Sequence, residues 1–344
     1  MEPRVFNLAR SICFLLSFAA IVAAMCKGSG TQLLDKLAQL PPDLKVRQLS
    51  APDIMKRRAR SKWYTQQFVK PLLDLGSDLH RYYMNAMNCG HMVQITEGMT
   101  KSSYCNTRVC NVCNRIRTAK AMNGYLSQLE GRSWVMLTLT DRNCSGNELR
   151  EELKNYKKSF FLIRRQLSER KGLKIDGIVK AEITYNEARD DYHPHLHILI
   201  ASEQLEYISG EIVRLWLDRR PSADIKAQNI SRANQDSLNE LFKYTTKTFS
   251  RSGKEFYTNP EAIDTIMKAQ YNTRSFQPFG SIRKVSEEVS EIVETQPLQI
   301  EEGVYMWASS DWYNIASGEA LSGYEPDPEV RISPKYGIRP NAPN

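Results

Sequence analysis

DDYHPHLHILIA, residues 190–201, decides how this chain is read. The protein holds five histidines, and three of them, His193, His195 and His197, fall on alternate positions here. In an extended strand alternate side chains share a face, so His195 and His197 present two imidazoles to one point across Leu196. Leu196, Ile198 and Ile200 turn to the opposite side, as a strand lying over a core requires. Polar–apolar alternation built from histidine is an unusual way to make an ordinary surface strand. The pattern points to a divalent-metal site.

Working outward, DGIVKAEITY (176–185) reads as a strand, joined to the histidine strand by the polar turn NEARDD as a hairpin. Upstream, SWVMLTLTD (133–141) alternates and is rich in β-formers. Between the two, Leu149, Leu153, Tyr156, Phe160, Ile163 and Leu167 keep the spacing of an amphipathic helix over 146–170, closed by Gly172. Downstream come a helix at 203–219, a strand at 223–230 and the helix SLNELFKYTTKTF from 237, with a break expected earlier at Pro71. This order predicts an α+β fold, an antiparallel sheet with helices on one face in a ferredoxin-like or RRM-like arrangement. On the last helix Glu240, Tyr244 and Lys247 are spaced i, i+4, i+7 and show a carboxylate, a phenol and an ammonium on one face. A phenol can attack phosphorus where a metal neutralises the phosphate oxygens, and a carboxylate one turn away can activate water.

A second cluster precedes the sheet. Cys105, Cys110 and Cys113 have C-x4-C-x2-C spacing, and Cys89 lies 16 residues before Cys105. Four thiolates in two pairs suit a tetrahedral structural Zn²⁺, with His91 the rival for the fourth position. A disulfide framework fits poorly, because C-x2-C is too close for ordinary bridging and the chain has seven cysteines.

Charge is unevenly spread. Residues 1–284 carry 44 Lys/Arg against 28 Asp/Glu, whereas residues 285–344 carry 3 against 11. A body this basic implies a polyanionic partner, most simply nucleic acid. The run Lys56, Arg57, Arg58, Arg60, Lys62 reads equally as a grip on DNA backbone or as a solvated helix face. Residues 11–25 are uncharged, which suits the apolar part of a signal peptide or a start site truly at Met25. The thiols at metal spacing and the basic body favour the cytoplasm over export or a membrane. MWASSDWYNI (306–315) reads as a segment that packs back on the body or meets a partner.

The LTLT strand (137–140), the HPHLH segment and the ELFKYTTK helix (240–247) together resemble the three motifs of HUH endonucleases. With the cysteines ahead of them they are most similar to the replication initiators of rolling-circle plasmids, in the branch with one tyrosine and a nearby glutamate. The resemblance spans about residues 89–250. It implies a site-specific single-stranded DNA nuclease with Mg²⁺ or Mn²⁺ on His195 and His197. Its third ligand is Glu182 or His193. The resemblance makes Tyr244 the nucleophile and Glu240 the water-activating carboxylate, with Lys243, Lys247 and His193 as DNA contacts. Origin DNA and a host helicase and polymerase are the implied partners, and no phosphate loop suggests a nucleotide cofactor. A transposase or mobilisation relaxase would share this chemistry, and a non-catalytic zinc-containing DNA-binding protein is the third reading. The domain boundaries that follow are an apolar segment at 1–26, a helical region at 27–88, a zinc module at 89–125, the nuclease core at 130–250, an extension at 251–322 and a disordered acidic, proline-rich tail at 323–344.

Overall fold

The structure, a computed structural model, describes residues 51–242, 250–252, 255–290 and 300–335. The apolar N-terminal segment, Lys243, Tyr244, Lys247 and the end of the tail lie outside the described residues. In chain order, α1 (Ala51–Leu73) and α2 (His80–Met87) lead into the hairpin β1 (Met92–Thr96) and β2 (Met99–Ser102), then α3 (Asn111–Leu129). Next come β3 (Val135–Thr140), α4 (Leu149–Lys171), β4 (Asp176–Asn186), β5 (Asp191–Ala201), α5 (Leu205–Arg219) and β6 (Asn229–Arg232). The rest comprises α6 (Gln235–Phe242), β7 (Ser250–Ser252), β8 (Glu255–Thr258), α7 (Pro260–Gln270), β9 (Phe276–Phe279), β10 (Gly303–Ala308), β11 (Asp311–Asn314) and β12 (Arg331–Pro334).

The central sheet has the order β6-β3-β5-β4-β9, and every pairing in it is antiparallel. Without β9 this is the ferredoxin-like order expected of a βαββαβ chain, and the fold is α+β as the patterning predicts. One face carries Leu137, Leu139, Leu196, Ile198 and Ile200, packed on Tyr156, Phe160, Ile163 and Leu167 of α4 and on Ile208, Ile212 and Trp216 of α5. Gly172 caps α4 in the left-handed region (φ 65°), donating its N–H to the carbonyl of Ser168.

The helices are not confined to that face. Met136, Ile178, Leu199 and Ala201 alternate onto the other side and are covered by Tyr125 and Leu129 of α3 and by Leu238, Leu241 and Phe242 of α6. Tyr125 and Phe242 stack at 5.4 Å. The apolar side chains of this second cover lie over the apolar residues. Further along the same face stand Thr138 and Thr140 of β3, Lys180 and Glu182 of β4, and His195 and His197 of β5, placed side by side by the register. Alternation explains why: a polar half-face cannot be roofed by an apolar helix without stranding its hydrogen-bonding groups.

Three local expectations differ from what is observed. Pro71 does not break α1 but sits in its last turn, where a missing N–H and a ring cost little because the helix ends at Leu73. The strand expected from 223 begins at Asn229, because the Asp224 side chain accepts from the Lys226 N–H at 2.9 Å and starts a 3-10 turn at Ile225–Ala227. The tail, expected to be disordered from 323, is described to 335, and β12 pairs in parallel with β8.

The cysteine region is closed from the far end of the chain. β10 and β11 join β1 and β2 in a sheet of order β11-β10-β1-β2. Trp307 and Trp312 bury themselves there with Met55, Val93 and Ile95, so the aromatic segment packs back on the body. Their indole N–H groups donate to Gln66 Oε1 at 2.9 Å and to the Gly90 carbonyl at 2.8 Å. Among the described residues, no helix is long and apolar enough to cross a membrane.

Candidate active site and cysteine centre

Glu182 and His195 are direct cross-strand partners, and His197 lies two residues further on the same face. One donor atom from each of the three lies within 4.8 Å of the others. His197 Nε2 stands 3.5 Å from Glu182 Oε2, and its Nδ1 is 3.2 Å from Thr138 Oγ1. That second contact aims Nε2 at the carboxylate. His193 is turned elsewhere, with Nε2 2.6 Å from Thr140 Oγ1, so of the two candidate third ligands only Glu182 joins the cluster. Thr140 is itself held by Gln228, which accepts from its N–H at 2.9 Å and donates to its carbonyl at 3.1 Å.

The protonation states suit metal binding. Burial alone would raise the Glu182 carboxyl, but the His197 hydrogen bond and the charges of Lys180, His195 and His197 outweigh it and hold the group at about 2. Burial, reinforced by the neighbouring His197, lowers His195 to about 4. Near neutrality the cluster therefore offers an ionised carboxylate and a neutral imidazole, the forms that ligate.

Lys180, unnoticed in the sequence, lies one alternate position before Glu182. Only 6% of it is exposed, and its ammonium donates to Glu182 Oε2 at 3.4 Å and to the Glu240 carbonyl at 3.1 Å. One buried cation thus ties the candidate metal ligand on β4 to the last turn of α6. Tyr244 follows that turn by two residues beyond the described end. The alternation Lys180-Ala181-Glu182 was a visible signal, as was LTLT, whose two threonines face the histidines.

The cysteine centre is built differently. Cys89 follows α2, Cys105 lies after β2, Cys110 precedes α3 and Cys113 is in its first turn, with the four sulfurs all within 4.8 Å. None is in a disulfide. Cys113 Sγ is 3.6 Å from Cys89 Sγ and 3.7 Å from Cys105 Sγ. A tetrahedron of sulfurs around zinc has edges of about 3.8 Å, from Zn–S bonds of about 2.3 Å. His91 is exposed and outside the cluster. Around Cys105 the backbone folds into a knuckle: Asn106 takes φ 55°, and the Thr107 N–H points at Cys105 Sγ at 3.4 Å. The buried Arg117 clamps this loop through the Asn106 and Thr107 carbonyls. Lys62, 1% exposed, donates to the Cys89 carbonyl at 2.6 Å. Burial pushes its ammonium down to about 8, against the pull of the surrounding sulfurs.

A histidine-and-carboxylate cluster on an antiparallel sheet beside a four-cysteine centre narrows the relatives to look for. The model of the Replication protein family matches residues 97–304. The chain belongs to that family. Among the similar curated proteins is Protein rep of Staphylococcus aureus, 38% identical over 166 residues that cover 43% of this chain and 71% of that protein. Protein rep of Streptococcus pneumoniae serotype 2 (strain D39 / NCTC 7466) is 24% identical over 241 residues, covering 63% of this chain and 71% of the relative. Protein rep of a Bacillus species is 33% identical over 145 residues, or 37% of this chain and 46% of the relative. No solved structure matches the chain. The family match includes the whole βαββαβ sheet and three of the four cysteines of this replication protein, and begins after Cys89.

Proposed function

We propose that this replication protein is a plasmid replication initiator of the HUH endonuclease type, in the branch with one tyrosine and a nearby glutamate, acting on origin DNA in the cytoplasm. The observation that supports this best is the convergence of Glu182, His195 and His197 on the polar half of a sheet face whose apolar half is covered by the helix bearing Glu240. Two partly exposed imidazoles and a buried, ionised carboxylate fit Mg²⁺ or Mn²⁺ with positions to spare for substrate oxygens. When bound there, such an ion supplies charge neutralisation at the scissile phosphodiester. Tyr244 supplies the nucleophile. Its phenolic oxygen bonds to phosphorus as the bond to the 3′-oxygen breaks; the phenol loses its proton and the leaving oxygen gains one. The products are a 5′-phosphotyrosyl link and a free 3′-OH, which a host polymerase extends while a host helicase opens the duplex. Glu240 takes a proton from the water that later releases the protein. Lys180 keeps the Glu240 turn in register with Glu182. Lys243, Lys247 and His193 are assigned to holding the strand, and the four cysteines to a structural Zn²⁺.

The test uses a single-stranded oligonucleotide carrying the nick site and a denaturing gel. Tyr244→Phe should bind but neither cleave nor form an adduct. Glu240→Gln should cleave and then accumulate the adduct. An adduct formed by Tyr244→Phe would show that another residue is the nucleophile.

A further inference from the structure

Residues 56–70 of α1, KRRARSKWYTQQFVK, hold six Lys/Arg and no Asp/Glu. The fold divides these six. Arg58 and Lys62 turn inward: Arg58 donates to Thr100 Oγ1 at 3.1 Å and Lys62 to the Cys89 carbonyl, tying the helix to the cysteine module. Lys56, Arg57, Arg60 and Lys70 are exposed; Lys56, Arg60 and Lys70 keep the i, i+4 and i+14 spacing of one helical stripe, with Arg57 beside it. Arg115 from α3 is brought up beside them. The start of α3 is tied to α1 by the Asn111 N–H, which donates to Thr65 Oγ1 at 2.9 Å, and Arg115 follows one turn later, where burial and the like charges of Arg60 and Arg57 lower its pKa. Among the described residues none of these five outward cations is in an ion pair with a carboxylate. The Arg60 guanidinium lies over the Tyr64 ring at 5.6 Å.

The equally basic α4 is the contrast. There three of the eight Lys/Arg have carboxylate partners, Lys154 with Glu151 at 2.9 Å, Arg165 with Glu169 at 3.7 Å and Lys171 with Glu211 at 2.6 Å, so that surface is partly compensated. Holding uncompensated like charges together costs free energy in the isolated protein, and a polyanion laid across them removes that cost.

We infer that the ridge formed by α1 and the Arg115 turn of α3 is a docking surface for the phosphate backbone of duplex DNA, separate from the histidine site. It rests on the proposed function only in that the protein works on DNA. Charge complementarity selects the partner, and α3 explains the placement. Its first turn holds Cys113, Arg115 follows at once, and ten residues beyond Arg115 Tyr125 stacks on Phe242 at the end of α6. The separation along the helix is about 15 Å, less than half of the roughly 34 Å turn of B-DNA. A duplex held at Arg115 therefore lies within about half a helical turn of the end of α6.

The test is fluorescence anisotropy of the full chain with a labelled duplex of roughly three helical turns, titrated with salt. Arg57→Ala/Arg60→Ala/Arg115→Ala should weaken binding about tenfold or more and lower the slope of log affinity against log salt by about 2 to 3. Nicking of a single-stranded oligonucleotide should not change, which separates failure of this inference from failure of the nuclease reading. Should the triple variant not fold, the exposed pair Arg57→Gln/Arg60→Gln should still lower the slope by about 1 to 2. An unchanged slope overturns the inference. So does an equal loss in the α4 variant Lys154→Ala/Lys158→Ala/Arg165→Ala, which would mean net charge alone matters. Lost binding to phosphatidylserine vesicles with duplex binding intact would assign the ridge to a membrane instead and overturn it too.

Discussion

The two clusters of ligand-type side chains differ in how the chain closes around them. The cysteine centre takes its groups from four places between residues 89 and 113, three of them buried, and brings all four sulfurs within 4.8 Å of one another. The histidine centre draws all three groups from two adjacent strands, and both of its histidines are partly exposed. A saturated site can only hold a structure together, whereas a site with donors on one side leaves room for a substrate. The neighbouring lysines show the same contrast. Lys62 is aimed at a backbone carbonyl of the module, while Lys180 is aimed at the candidate ligand Glu182 and at the Glu240 carbonyl of α6.

The sharpest way to break this comparison is to remove one ligand from each centre. Cys110→Ser should release the zinc and cost about 4–5 kcal/mol or more, since loss of a structural metal ranks among the largest single-residue effects. The purified variant should show no stoichiometric zinc and an early thermal transition. A variant that melts like the parent would mean the centre does not hold the fold. His195→Ala should do the reverse, keeping the melting temperature within a few degrees while nicking falls about 100-fold. Part of that loss should return when Mn²⁺ replaces Mg²⁺, because a ligand is missing and the nucleophile is not. If His195→Ala unfolds the protein with nicking per folded molecule intact, the two centres have been assigned the wrong way round.

Both ligand sets stood out in the sequence because short-range geometry carries them: C-x2-C on a helix start, and alternate histidines on a strand. The sheet order followed from a βαββαβ pattern with few alternatives. What could not be seen were the long-range partners. Nothing local in DGIVKAEITY says that Lys180 reaches Glu240 sixty residues away. Nothing in MWASSDWYNI says that its tryptophans seal the start of α1. Nor did the composition of residues 56–70 show which cations turn inward, because that depends on where β2 and Cys89 pack. Helices on the second sheet face were missed for the same reason: Met136 and Leu199 are apolar positions among polar alternates, and only the register lines them up.

The lysines offer a finer cut. Lys62→Met removes a buried donor from the Cys89 carbonyl and should cost about 1–3 kcal/mol of stability with nicking unchanged under conditions where the protein is folded. Lys180→Met should cost a similar amount of stability and in addition lower nicking about 10- to 100-fold, since Glu182 loses a cation and the Glu240 turn its tether. Equal effects of the two on nicking would erase the distinction drawn between them.

The smallest expected effect tests whether His197 is oriented as a ligand. Its Nδ1 faces Thr138 Oγ1 at 3.2 Å and its Nε2 faces Glu182 at 3.5 Å. With the threonine oxygen accepting from Nδ1–H, Nε2 is the nitrogen that can exchange its hydrogen bond to Glu182 for a metal in the space beside His195. Thr138→Val keeps the β-branched shape on the strand and removes only that oxygen. The imidazole then samples both tautomers and a wider range of ring angles, and the fraction aligned to ligate falls. The half-saturating metal concentration for nicking should rise about tenfold, while the rate at saturating metal returns close to the parent value and the melting temperature hardly moves. A drop in the saturated rate without a change in metal requirement would mean that Thr138 acts on the DNA strand, and that His197 is held in place by Glu182 alone.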